Sequence, residues 1–286
     1  ADCAVKIPFA EAKETVLEAL GVLGEDYVAL LKQGFENRWI DVYENEGKRT
    51  GAYQAGGRPH PYVLLNHRGD LDSVFTIAHE LGHAMHTYYS NENQPYATCD
   101  YTIFVAEVAS TVNEVLMTRY LTAHTDGEMK KYVLNHYLDQ FRTTAVRQTM
   151  FAEFELKAHE YVENGTPLTA ELLRKTYRDL LELYFGPEMH FESNSDMEGL
   201  RIPHFYSAFY VYKYATGISA ALALAHRVTT GGDAEREDYF KFLKSGGSRY
   251  PIESLRIAGV DMESVEPVQA ACDTFKNIVD QLKELL

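Results

Sequence analysis

Apolar residues recur at helical spacing through residues 9–36: Val16, Leu17, Leu20 and Leu23, then Tyr27, Leu30, Leu31 and Phe35 beyond a break at Gly24-Glu25. Residues 39–43 (WIDVY) read as a short strand or turn. The Gly-rich residues 48–58, with Tyr53 among them, read as loop. Residues 62–66 (YVLLN) form a compact β-like run, which predicts a small sheet beside the helix that follows. That helix carries Val74, Phe75, Ala78, Leu81, Gly82 and Met85. Asp70 and Asp72 stand where they can cap its start. Residues 91–100 read as a loop. Residues 102–124 and 127–162 then carry long helical repeats, and Asn164-Gly165-Thr166-Pro167 ends the second of them. Thr169 starts a helix to about Tyr184, stopped by Gly186-Pro187. Residues 188–201 read as loop, 206–227 as helix and 262–286 as a terminal helix, with turns at Gly231-Gly232 and Gly246-Gly247. The pattern predicts a mainly α fold with one small β-sheet and no internal repeat.

Within the apolar helix lies His79-Glu80-Leu81-Gly82-His83, an H-E-x-x-H run. Positions i and i+4 share a helix face one turn apart, so both imidazoles can reach one metal ion. The intervening Glu80 can place a carboxylate beside the metal's water, which is the minimum equipment of a zinc hydrolase. By chance this run arises in on the order of one chain in a hundred of this length. The alternative is two surface histidines on a helix. The apolar neighbours disfavour it, because buried His and Glu need partners.

A tetrahedral site needs a third protein ligand. Glu107 lies 24 residues after His83, in a second Gly-free and Pro-free segment, FVAEVASTVNE. The polar loop between the segments is long enough to bring the second helix back antiparallel, with Glu107 facing the histidines. Glu114 falls two turns further along the same face, where it can support a ligand from behind. Taken singly, Glu107 reads as a surface carboxylate; its apolar neighbours favour the ligand role instead.

The runs HELGHAMH (79–86) and FVAEVAST (104–111) resemble the M3 family of zinc metallopeptidases. The likeness is closer to bacterial oligoendopeptidase F than to thimet oligopeptidase and neurolysin. It continues through GAY (51–53), HPYVLLN (60–66), NQPY (93–96), YVYKYATG (210–217) and AGVD (258–261), nearly the whole chain. The resemblance implies a zincin-like helical catalytic domain with His79, His83 and Glu107 on one Zn2+ and Glu80 as general base. It also implies a His and Tyr set for the oxyanion, placed on His204 and Tyr212, with Tyr210 as a further member. Tyr206 shares the predicted helical face of Tyr210 and, with Tyr53, is a candidate for holding substrate. His86 is structural or supports the ligands, and the remaining histidines read as ordinary. Family members of this type are about twice this length. The chain is therefore expected to be a single catalytic domain over residues 1–286, with room for two lobes around a cleft and without the N-terminal half.

Composition narrows the partners. The net charge of −15 argues against nucleic-acid and anionic-membrane binding and is compatible with basic peptides. The three cysteines, Cys3, Cys99 and Cys272, match no metal or redox spacing, so a disulfide framework is not expected and a reducing cytoplasm is. No signal peptide or long apolar span is read. The resemblance implies internal cleavage of short unstructured peptides. The rivals are a zinc-stabilised peptide-binding fragment and an exopeptidase, for which Lys213, Arg201 and Arg249 are the unassigned cations. Oligomeric state is not specified.

Overall fold

The computed structural model describes residues 6–286. Cys3 lies outside them; Cys99 is buried and Cys272 exposed, both as free thiols. The chain forms two compact units, residues 1–138 with 217–286, and residues 139–216.

In the larger unit, α1 (Phe9–Ala19) and α2 (Glu25–Glu36) bury the faces expected from their apolar spacing, Ala12, Val16 and Leu17 in one and Tyr27, Leu30 and Leu31 in the other. Gly24, at φ 100°, makes the bend between them. A three-stranded sheet follows: β1 (Ile40–Asp41), β2 (Tyr53–Ala55) and β3 (Tyr62–Leu64) in the order β1-β3-β2. β1 pairs parallel with β3 (Ile40 opposite Val63), and β2 pairs antiparallel (Gln54 opposite Val63). The expected small sheet is present, but β2 lies inside the stretch read as loop. Its three residues become a strand only because β3 supplies the ladder.

The sheet packs on α3 (Leu71–Asn93), the H-E-x-x-H helix. Asp70 caps it, its carboxylate accepting from the Ser73 N–H at 2.8 Å, a cap contributing ~1 kcal/mol. α4 (Ala106–His124) is the chief packing partner of α3. Next come α5 (Gly127–Phe141), a π-helical stretch at Arg142–Val146, α6 (Arg147–Glu163) and α7 (Ala170–Phe185). The Thr169 hydroxyl caps α7 by accepting from the Leu172 N–H at 3.1 Å.

The smaller unit has its own core of Met150, Phe151, Phe154, Tyr177, Leu180, Leu181 and Val211. The helix expected from residue 206 starts later: α8 spans Tyr212–Thr230. Residues 203–206 form one 3-10 turn, and Phe209 stands at φ 52°, a left-handed conformation that interrupts any helix there. Its N–H donates to the buried Glu155 carboxylate of α6 at 2.7 Å, a charge-assisted bond that offsets the backbone strain. The shared helical face of Tyr206 and Tyr210 therefore does not exist. The chain ends in α9 (Asp233–Ser245), α10 (Pro251–Ile257) and α11 (Glu266–Leu285). The charged surface of α9 conceals it in the sequence, although it buries Tyr239, Phe242 and Leu243. No helix among the described residues is long and apolar enough to cross a membrane.

Candidate metal centre

The close approach of α3 and α4 is a matter of small residues. A Cβ added at Gly82 would sit 2.5 Å from Ser110 Cα and 2.6 Å from the Ala109 carbonyl oxygen. Ala78 and Ala109, both fully buried, line the same contact zone. Along it Ala78 meets Asn113, His79 meets Glu114, Gly82 meets Ser110 and His83 meets Glu107. Residues 78 and 79 meet 113 and 114, while 82 and 83 meet 110 and 107, so the pair is antiparallel.

This register brings three donor atoms together. His79 Nε2 and His83 Nε2 are 3.1 Å apart, and Glu107 Oε2 lies 3.4 Å from the first and 3.2 Å from the second. A tetrahedral ion bound at about 2.0–2.1 Å needs ligand atoms about 3.3–3.4 Å apart. The three atoms match one face of such a tetrahedron, leaving its fourth vertex for water or substrate. The donor set, two imidazoles and a carboxylate, suits a divalent first-row ion.

Glu114 and Ser110 hold this set from behind. The Glu114 carboxylate pairs with His79 Nδ1 at 3.1 Å, which directs Nε2 inward. The Ser110 hydroxyl lies 3.0 Å from Glu107 Oε2. Burial opposes charging His79, but Glu114 first, then Glu107 and Glu80, outweigh it and hold the imidazole at about 9. Burial likewise opposes ionising Glu107, yet the His83 hydrogen bond and charge, with His79 and Ser110, pull its carboxyl down to about 2. Glu80 is buried on α3, and that burial pushes its carboxyl above the ordinary range against the pull of His79 and His83. His86 is placed elsewhere. It is buried and stacked flat on Tyr101 at 3.7 Å, and burial, with the nearby His83, drives its imidazole down to about 3.

Thr76 and Thr87 share the helical stripe of His79 and His83, about one turn before and one turn after the pair. Each lines a hollow. Gly51, Ala52, Asn66 and Ser73 join Thr76, and Gln54, Gly56, Asn91 and Tyr101 join Thr87. Edge strand β2, with Tyr53 exposed, runs from one hollow to the other.

His204, Tyr206, Tyr210 and Tyr212 belong to the smaller unit. The His204 ring lies 5.4 Å from Tyr210 and 6.2 Å from Tyr214, and the Tyr210 and Tyr214 hydroxyls are 3.5 Å apart. Tyr206 is 89 % exposed, and Tyr212 opens α8 partly exposed. Sequence reasoning did not single out Tyr214 or Asn113. Asn113 carried no signal, because an Asn within an apolar helix is unremarkable until its partner is known. Ser110 stood within the run 104–111 that carries the family likeness, but its contact with Glu107 emerges only from the fold.

The model of peptidase family M3 matches residues 6–274. Oligopeptidase PepF of Bacillus subtilis is 49 % identical across 100 % of the chain and 43 % of its own length. An oligoendopeptidase F homolog of Borreliella burgdorferi is 44 % identical across 98 % of the chain and 48 % of its own. Among solved structures, oligoendopeptidase-F from Enterococcus faecium superposes with a TM-score of 0.75 at 37 % identity, covering 96 % of this chain and 43 % of that one. The chain spans about half the length of the curated relatives it matches.

Proposed function

The chain belongs to peptidase family M3, and from that membership we propose that it is a zinc-dependent endopeptidase acting on short, unstructured peptides. The observation that carries this reading is the triad of His79, His83 and Glu107, whose donor atoms lie 3.1–3.4 Å apart, close to the edge of a zinc tetrahedron. In this reading the three side chains hold one Zn2+. When bound, zinc lowers the pKa of water toward 7 and polarises the scissile carbonyl. Glu80 accepts the proton of the attacking water and returns it to the leaving amine. Glu114 keeps His79 in the ligating orientation, and Ser110 does the same for Glu107. His204 and Tyr212, with Tyr210, donate to the oxyanion. Their support is the family resemblance and the neutral N–H and O–H donors they offer. The peptide lies extended along the free edge of β2 by main-chain hydrogen bonds, with Tyr53 beside it. The hollows at Thr76 and Thr87 take side chains on either side of the cleaved bond.

The test is digestion of model peptides with blocked and free ends, followed by mass spectrometry. Internal cleavage that a chelator abolishes and zinc restores is expected. Glu80→Gln is expected to keep the metal and lose roughly 10²–10⁴-fold in turnover. Retention of normal cleavage by Glu80→Gln overturns the role of Glu80. Peptide binding without any turnover favours a binding fragment, and cleavage confined to free termini an exopeptidase.

A further inference from the structure

Asn113 is a fully buried polar residue on α4. Its Nδ2 donates to the Ala78 carbonyl of α3 at 2.9 Å, and its Oδ1 accepts from the Tyr27 hydroxyl of α2 at 3.2 Å. Tyr27 is itself fully buried. Ala78 directly precedes His79, and Asn113 directly precedes Glu114. The amide thus ties the two helices together one residue before the His79–Glu114 pair on each of them. The Ala78 carbonyl can only accept, so it turns the NH₂ group toward α3, and the Tyr27 hydroxyl of a third helix, able to donate or accept, donates to the Oδ1 that remains. The Ala78 carbonyl is also the in-helix acceptor position for residue 82, where the helices touch most closely. Gly82 lets α4 come near, but glycine is smooth and does not by itself specify axial register. A directed hydrogen bond does.

We propose that Tyr27 and Asn113 are positioning residues that set the axial register of α4 on α3, so that Glu114 meets His79 and the ligand face stays assembled. This rests on the metal-binding reading above. The clamp acts through Glu114 and touches neither metal nor substrate. A buried Asn has strict demands: four hydrogen-bonding positions, at least two of them used here by groups from two other helices. An apolar residue of similar size would fill the space and pack well while leaving the register unspecified.

The experiment compares Asn113→Leu and Tyr27→Phe with Leu255→Ala, a control that opens a cavity at a fully buried position on α10. Two quantities are read at matched thermal stability. One is the affinity for Co2+, followed by its visible absorption against a competing chelator. The other is protection of the His79 Nδ1–H ring proton from exchange, by nitrogen-15 NMR of the metal-free protein. The clamp predicts about tenfold weaker Co2+ binding in both clamp variants, the lower end of the range for groups that orient ligands. It also predicts faster exchange of the His79 proton in both, with neither change in Leu255→Ala. Wild-type values in the clamp variants, or equal losses in the control, overturn it. If wild-type protein binds no Co2+, the metal reading fails separately, and the proton-exchange comparison still decides for or against the clamp.

Discussion

Two regions concentrate the polar chemistry of this chain, and they are built in opposite ways. On α3 and α4 the polar groups project from regular, largely buried helices, and the small residues at Gly82 and Ser110 bring the backbones together. Residues 203–211 instead follow an irregular path into α8, with one 3-10 turn, a left-handed Phe209 and a tyrosine exposed at 206. The first arrangement suits ligands whose donor atoms must keep their distances to within about 0.2 Å. Helix geometry supplies the spacing of His79 and His83, and the packing of α4 on α3 adds Glu107 to it. In the second, the backbone conformation is held by one buried carboxylate, Glu155, on a neighbouring helix. A site made of periodic structure is visible as a motif; a site made of irregular structure depends on partners distant in sequence.

Substitutions can break or sharpen this contrast. Of three further substitutions, the largest effect is expected at Tyr212, where the irregular segment passes into α8. Tyr212→Phe removes a hydroxyl and little else, and should lower kcat about 100-fold while leaving bound metal and KM nearly unchanged. Steady-state kinetics with metal analysis checks this; a parallel loss of metal would show that the two regions are not separate in function. On the helical side, Gly82→Ala forces a methyl group against the α4 backbone. It should destabilise the protein by about 1–3 kcal/mol in urea unfolding, despite the better helix propensity of Ala, and weaken metal retention. An unchanged midpoint would mean that α4 can move aside freely, and the close approach would then carry no weight. The smallest effect is expected from Asp70→Ala at the start of α3, ~1 kcal/mol at neutral pH. Partial burial raises the Asp70 carboxyl, but the Ser73 hydroxyl and N–H outweigh it and hold it below its ordinary value of 3.8. A carboxylate whose folded value is depressed contributes fully above its unfolded value and loses that contribution as pH falls through the folded one. The gap between wild type and Asp70→Ala should therefore close in acid, below the ordinary aspartate range. A gap independent of pH would assign the loss to something other than the ionised cap.

Much of the helical framework, and the grouping of His79, His83 and Glu107, was legible in the sequence. Apolar spacing marked α1, α2, α3, α4 and α7, and Asp70 and Thr169 stood where their caps are found. The i and i+4 histidines needed only helix geometry, and Glu107 with Glu114 needed only a return of the chain. Other features stayed hidden, α10 among them. β2 has three residues and no pattern of its own until β3 lies beside it. α9 presents so many charges that its buried Tyr239, Phe242 and Leu243 do not stand out. The break before α8 could not be read, because the Phe-rich and Tyr-rich run 205–214 satisfies helical periodicity.

Local spacing, then, was enough to determine which residues face one another on a single helix, since 3.6 residues per turn is a property of the backbone. Only tertiary structure decided the pairing of Glu114 with His79, the contact of Ser110 with Glu107, the cross-link from Asn113 to Ala78 and Tyr27, and the left-handed turn at Phe209. Each depends on an atom donated by a segment far away in sequence. Directional hydrogen bonds of that kind leave no periodic trace in either partner, and so they become visible only when the helices are packed.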